Sequence, residues 1–297
     1  MTSHWGAVAS ALNVAVISSS GGLQPKDSDG LQPVKVAGIV VRWIRFGDYK
    51  EANYDRVSRL IREAAKQGAK IICTTECFLD GYHVEVSDQE YNDVHAYLED
   101  VATSAYVGRL KALAKALDVY IVAGMAVADP DRKDADGNPC PFNASQLYSP
   151  EGELVGRYYK THNFGKRSPW FEAVPDCDKI GCFPSFSTNF GRVGSMICND
   201  RIFAETTHWL TVSGAQLILC PTGGDLSYEM LRDRSRETGV GVVWVHPCGF
   251  AATAPGGEII TASILDGRTL DIPADEVGGP TDHQEVFYVH MPLSSGK

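Results

Sequence analysis

Basic residues are the scarce charge class in this chain of 297 residues: 27 Lys and Arg stand against 37 Asp and Glu, a formal net charge of −10. Nucleic acids and anionic membranes both need a basic footprint, so neither is an expected partner. A small-molecule substrate stays open, because a site can be locally basic on an acidic protein. None of the 8 cysteines forms a pair or a Cys/His cluster with zinc-site spacing, and no metal is expected. No internal repeat is present. The length and the 44% hydrophobic content give enough core to make a disulfide framework unnecessary. Several cysteines, Cys73 and Cys220 among them, lie in apolar runs where a free thiol packs well. This usage leads us to expect a reducing, cytoplasmic compartment.

Residues Trp5 to Pro25 carry no charge, and Ala7 to Ile17 has the length of a short signal-peptide core. No Lys or Arg precedes it, and Asn13 interrupts it. A disordered arm and an export signal are the two readings, and the first fits better. Residues 18–33 are rich in Ser, Gly and Pro and read as a linker. The expected division is an N-terminal arm over 1–33 and one domain over 34–297.

From Val34 onward strand-like and helix-like segments alternate. Val34 to Val41 reads as a buried strand, and residues 49–67 show helical spacing through Val57, Leu60, Ile61 and Ala64, with Gly68 as C-cap. Residues 69–74 read as a strand, 94–117 as a helix, 119–127 and 145–148 as strands. Residues 192–198, 216–220 and 241–246 are further strands, with helices over 204–213 and 230–238. The last 45 residues read as β-structure. Short apolar strands alternating with helices predict an α/β fold with helix-covered sheets.

Three segments place a reactive residue directly after a strand, where sites of α/β proteins gather. They are Thr74-Thr75-Glu76-Cys77-Phe78-Leu79-Asp80-Gly81-Tyr82, Gly156-Arg157-Tyr158-Tyr159-Lys160-Thr161-His162 and Gly194-Ser195-Met196-Ile197-Cys198-Asn199-Asp200-Arg201. A cysteine at a strand-to-helix junction feels the helix N-terminus, which favours thiolate. A carboxylate can take its proton, and a lysine can stabilise an oxyanion.

In that order these segments resemble the three signature regions of the nitrilase, or carbon–nitrogen hydrolase, superfamily, over nearly the whole chain from Val34. The resemblance implies a four-layer α-β-β-α sandwich that pairs into a homodimer or a larger homo-oligomer. It implies a Glu–Lys–Cys triad that needs neither metal nor cofactor: Glu76 as general base, Lys160 as the lysine and Cys198 as the nucleophile. Glu172 is the best match for a second glutamate, with Asp178 its rival.

Cys198 is followed by Asn199 and Asp200, where true nitrilases usually carry Trp-Glu. The Cys-Asn-Asp-Arg string is similar to that of N-carbamoyl-amino-acid amidohydrolases, in which the arginine grips the substrate carboxylate. Arg201 fits that role by bidentate pairing, but Ile202 stands where a second arginine is common. A salt bridge from Arg201 to Asp200, Glu205 or a partner subunit is the alternative. Asn199, His162, Gly223 and Tyr82 complete the expected substrate contacts, and Trp170 and Phe171 are candidate pocket walls. Asn143 is expected to be structural. The expected activity is hydrolysis of linear amides or ureido acids with release of ammonia. A nitrilase, an acyl-transfer enzyme or a non-catalytic binding protein on the same fold are the alternatives.

Overall fold

The computed structural model describes residues 32–82, 98–164, 172–224, 227–264, 270–279 and 281–293. Residues 1–31 of the expected arm, Trp170 and Phe171 lie outside these residues, while Gln32 and Pro33 belong to the first strand. The described residues belong to one unit, Leu31–Lys297.

The chain runs β1 (Gln32–Val41), α1 (Tyr49–Lys66), β2 (Ile71–Cys73), β3 (Glu99–Asp100), α2 (Ala105–Leu117), β4 (Tyr120–Lys133), β5 (Pro139–Tyr148) and β6 (Leu154–Tyr159). Then follow a short α3 (Lys179–Cys182), β7 (Ser185–Thr188), β8 (Gly191–Ser195) and a 3-10 turn over Cys198–Ile202. The rest is α4 (Ala204–Val212), β9 (Leu217–Pro221), α5 (Tyr228–Thr238), β10 (Gly241–His246), β11 (Gly249–Thr253), β12 (Ile259–Ile264) and β13 (Gln284–Leu293).

Two sheets form. One has the order β13-β1-β2-β4-β5-β6, with β3 added beside β4; the other has the order β12-β11-β10-β9-β8-β7. Strand β1 explains why the layers stack. Its even residues Val36 and Val40 pack with Val243, Val245 and Phe250 of the second sheet. Its odd residues Ala37, Ile39 and Val41 pack under Val57, Leu60 and Ile61 of α1. A strand buried on both faces shows no polar alternation, as Val34 to Val41 does not. On the far side, Leu210 of α4 and Leu231 of α5 cover Ile218, Cys220, Val242 and Trp244. The result is the four-layer α-β-β-α sandwich. No described helix is long and apolar enough to cross a membrane.

Two sequence expectations need correction. The helix expected over 94–117 begins at Ala105, because Ser104 accepts hydrogen bonds from the Tyr106 and Val107 N–H groups as its N-cap, while Glu99 and Asp100 pair with β4. The reading of the cysteines as free thiols also needs an exception: Cys177 and Cys182 are bridged, brought together by the turn of α3 with Cα atoms 5.6 Å apart. Cysteine usage therefore no longer argues for a reducing compartment. Closing so short a loop is worth about 2 kcal/mol through the unfolded chain. Cys177→Ser should lower the unfolding free energy of the oxidised protein by about that amount in a urea titration, and do nothing to the reduced protein.

Candidate active site

Glu76, Lys160, Cys198 and Gly223 each stand a few residues or less past the end of a strand. After β2 the chain turns sharply at Thr74 to Phe78, anchored by Phe78 N–H to the Gly124 carbonyl at 3.0 Å and by Gly124 N–H to Thr74 Oγ1 at 3.0 Å. A Cβ on Gly124 would lie 2.5 Å from the Thr75 carbonyl oxygen and 3.0 Å from Glu76 Cα, so only glycine lets this turn pass. Lys160 follows β6, its N–H held by the Asn143 carbonyl at 2.9 Å. Cys198 follows β8, and Gly223 and Gly224 follow β9. Non-glycine residues with positive φ are rare; among the described residues they are Cys77 (φ 44°), Tyr82 (φ 55°), Cys198 (φ 46°) and Asp118, which caps α2. Three of the four are at this site, where strain is commonly stored.

Glu76, Lys160 and Glu172 are buried together. Lys160 Nζ lies 2.9 Å from Glu76 Oε1 and 3.3 Å from Glu172 Oε1. Asn143 Nδ2 donates to the same two oxygens, at 2.7 and 2.9 Å. One ammonium and one amide thus bridge two carboxylates. Tyr82 hydroxyl reaches both Glu172 oxygens at 3.3 Å and Lys160 Nζ at 3.2 Å. Gly223 N–H donates to Glu76 Oε2 at 2.7 Å. Burial works to strip the proton from Lys160, but the charges of Glu76, Tyr82, Glu172 and Cys198 outweigh it and hold its pKa well above the usual lysine value.

Cys198 does not have the thiolate character that its position suggests. Burial pushes the thiol pKa up and the Glu76 charge adds to the shift, while Lys160, Arg201 and a Thr222 hydrogen bond pull it down without prevailing. The element it opens is a 3-10 turn of five residues, too short for a strong helix dipole. The resting side chain is a thiol that needs a base. Arg201 Nη1 donates to the Cys198 carbonyl at 2.5 Å and lies 3.7 Å from Sγ. A Cβ on Gly224 would meet both Cys198 Sγ and Arg201 Nη2 at 3.0 Å, so the guanidinium flanks the thiol.

Asp200 and His162 build the frame. Fully buried Asp200 accepts from Tyr158 hydroxyl at 2.7 Å, Ile197 N–H at 2.9 Å and His162 N–H at 2.8 Å. Burial and the Asp200 charge raise the Tyr158 pKa well above the ordinary value, keeping the phenol as donor. Asn199 donates its amide hydrogens to the His162 and Asn163 carbonyls, at 3.2 and 3.0 Å. These bonds tie the chain after Lys160 to the chain after Cys198. Exposed Asp178 caps the Gly181 N–H at 2.7 Å and takes no part in the cluster that holds Glu172.

His162 Nδ1 lies 3.1 Å from Asp200 and Nε2 lies 3.2 Å from Glu205, with its ring stacked on Phe203 at 4.0 Å. Burial lowers its pKa, but Asp200 and Glu205 more than offset this and raise it above 6.5. A raised folded-state pKa contributes stability in full below the unfolded value and loses it as pH rises through the folded value. The stability gap between wild type and His162→Gln, read from urea titrations, should be larger at pH 5.5 than at pH 9; an equal gap contradicts the ionic role.

Asn143, expected from the sequence to be structural, holds both carboxylates of the site, and Trp43, buried beside Gly223 and Tyr82, was not singled out at all. Asn143 carried one signal, an amide inside a run that becomes a buried strand, since buried amides need partners. Trp43 carried none.

Residues 47–272 match the Carbon-nitrogen hydrolase family. Among curated relatives, a protein named nitrilase from Pyrococcus abyssi is 32% identical over 178 residues, covering 60% of this chain and 61% of that protein. The human omega-amidase NIT2 is 28% identical over 213 residues, covering 69% and 72%. Among solved structures, an amidase from Nesterenkonia sp. has a TM-score of 0.66 at 18% identity, covering 89% of this chain and 92% of that one. Nit3 of Saccharomyces cerevisiae has a TM-score of 0.66 at 20% identity, covering 90% and 93%. The chain therefore belongs to the carbon–nitrogen hydrolase family, whose members act on carbon–nitrogen bonds other than peptide bonds.

Proposed function

We propose that this protein hydrolyses linear amides or N-carbamoyl amino acids through a thioester on Cys198. Glu76 takes the thiol proton as Sγ attacks the carbonyl carbon. Lys160 and a backbone N–H near Cys198 and Asn199 hold the oxyanion. The protonated carboxyl then gives its proton to the leaving nitrogen, the C–N bond breaks and ammonia departs. Water, deprotonated by Glu76 or Glu172, attacks the thioester, and the thiol is restored as the acid leaves; with an N-carbamoyl amino acid the group on Cys198 is a thiocarbamate, and the carbamic acid released loses CO2 to give the amino acid. Tyr82 steadies Lys160 and Glu172, and Gly223 steadies Glu76. Asn199 and His162 fix the nucleophile loop. The observation that carries this reading is the buried ammonium between two carboxylates, whose charge pulls down the pKa of the buried Cys198 thiol.

Amide chemistry is favoured over nitrile chemistry by Asn199 and Asp200, and by the names of the human and Nesterenkonia relatives; the name of the Pyrococcus relative points the other way. Arg201 beside the thiol supports a substrate carrying a carboxylate. Exposed Ile202, Phe203 and Val212 on and before α4 support pairing of two copies through that face, which light scattering on the purified protein checks.

The test is ammonia release from N-carbamoyl amino acids, aliphatic amides and nitriles, with Cys198→Ala as control. Preference for N-carbamoyl amino acids, lost in the variant, supports the triad and the Arg201 clamp. Turnover of neutral amides alone removes the clamp, and turnover surviving in Cys198→Ala overturns the mechanism.

A further inference from the structure

Trp43 lies just past β1 and is fully buried, yet none of the chemistry above uses it. Its main chain is locked to a distant segment: Trp43 N–H donates to the Leu270 carbonyl at 2.9 Å, and Ile272 N–H donates back to the Trp43 carbonyl at 3.0 Å. Arg45 lays its guanidinium over the indole at 4.9 Å and donates from Nε to the Gly81 carbonyl at 2.5 Å. The ring is therefore fixed from behind, and it meets the site at two places. A Cβ built on Gly223 would lie 2.5 Å from Trp43 Cη2 and 3.3 Å from Cζ2, so the far edge of the indole rests against the Gly223 backbone. The same ring meets Tyr82 edge-on, with centroids 6.1 Å apart.

Those two neighbours are the groups that hold the charged cluster. Gly223 N–H donates to Glu76 Oε2, and Tyr82 hydroxyl contacts Lys160 and Glu172. The indole Nε1 finds no acceptor among the described residues, a cost that a purely space-filling side chain at this place would avoid.

We propose that Trp43 is a positioning residue that sets the orientation of the Glu76 carboxylate, through Gly223, and of the Tyr82 hydroxyl. This rests on the reading of Glu76 as the base for Cys198. The contact is specific in size: Gly223→Ala pushes a methyl into the indole, Trp43→Phe removes the far edge that touches Gly223, and the double variant restores contact. A positioning defect is thus repairable, whereas damage to the fold adds.

The test is the rate of Cys198 alkylation by iodoacetamide, mapped by peptide mass spectrometry between pH 5 and 9, in Trp43→Phe, Gly223→Ala, the double variant and Glu76→Gln. Thermal unfolding of each variant is recorded alongside. Each single variant should slow the reaction about tenfold across this pH range. The double variant should recover to within about threefold of wild type, against the roughly hundredfold loss expected if the two effects were independent. A Trp43→Phe profile that superimposes on wild type while Glu76→Gln is slow overturns the role of Trp43 alone. A double variant as slow as the product of the singles does the same. A Glu76→Gln profile like wild type instead overturns the assignment of the base.

Discussion

Cys198→Ala should lower kcat by at least about 10⁴-fold, the scale of nucleophile removal in covalent catalysis, with little change in unfolding free energy. The enclosed thiols of Cys73, Cys77 and Cys220 are poorly suited to take over. Cys77 is close in sequence to Glu76 but fully buried, its Sγ 3.5 Å from Asn143 Oδ1, with a pKa pushed well up first by burial and then by Asp80 and Glu76. Cys73 and Cys220 are equally enclosed, and burial raises both thiols. Glu76→Gln should cost about 10² to 10⁴ in kcat, because the amide keeps the shape but cannot accept the Cys198 proton. Since the resting thiol pKa is raised, the loss should persist at neutral pH. A preformed thiolate would make Glu76 dispensable for attack, and near-normal turnover in Glu76→Gln would reveal it.

Lys160→Met should damage stability as well as rate. The methionine fills similar space but removes the only cation that contacts both Glu76 and Glu172 among the described hydrogen bonds and ion pairs. Two buried carboxylates would then share Asn143 as the amide between them, and their mutual repulsion would work to open the cluster. Breaking a buried ionic group by removing one partner costs about 3–5 kcal/mol, and losing the oxyanion's cation costs about 10² to 10³ in kcat. Adding Glu172→Gln to Lys160→Met should recover part of the stability, since it removes one of the two mutually repelling carboxylate charges, and none of the activity. A double variant less stable than Lys160→Met would contradict this electrostatic account.

The legible and illegible parts of this protein divide along the distance over which a residue's partners lie. Strands β1, β9 and β10 show as apolar runs because both faces are buried, and α1 shows as a helical stripe ending at Lys66, followed by Gly68 in a left-handed conformation. The three motifs were legible because Glu76, Lys160 and Cys198 each follow a strand closely in the chain, so that their strand and their reactive residue lie in one short segment. The start of α2 was misplaced because Ser104, a cap, stands inside a longer periodic stretch. Asn143 was not legible as a bridge, since nothing in its own segment announces that Glu76 and Glu172 converge on it. Trp43 depends on Gly223, far along the chain. The thiol's protonation depends on total burial and on the Glu76 charge, neither of which can be read from the motif around Cys198. The Cys177–Cys182 bridge depends on α3 closing the loop between them.

The central claim is a covalent acyl group on Cys198, and it is open to direct observation. Rapid acid quenching during turnover of an accepted amide or N-carbamoyl amino acid, followed by peptide-mapped mass spectrometry, should find the acyl mass on the peptide containing Cys198. That mass should vanish on treatment with hydroxylamine, as a thioester does, and be absent from Cys198→Ala. An acyl mass on another residue, or none on Cys198 while a pre-steady-state burst of ammonia shows that acylation outpaces deacylation, would contradict the account.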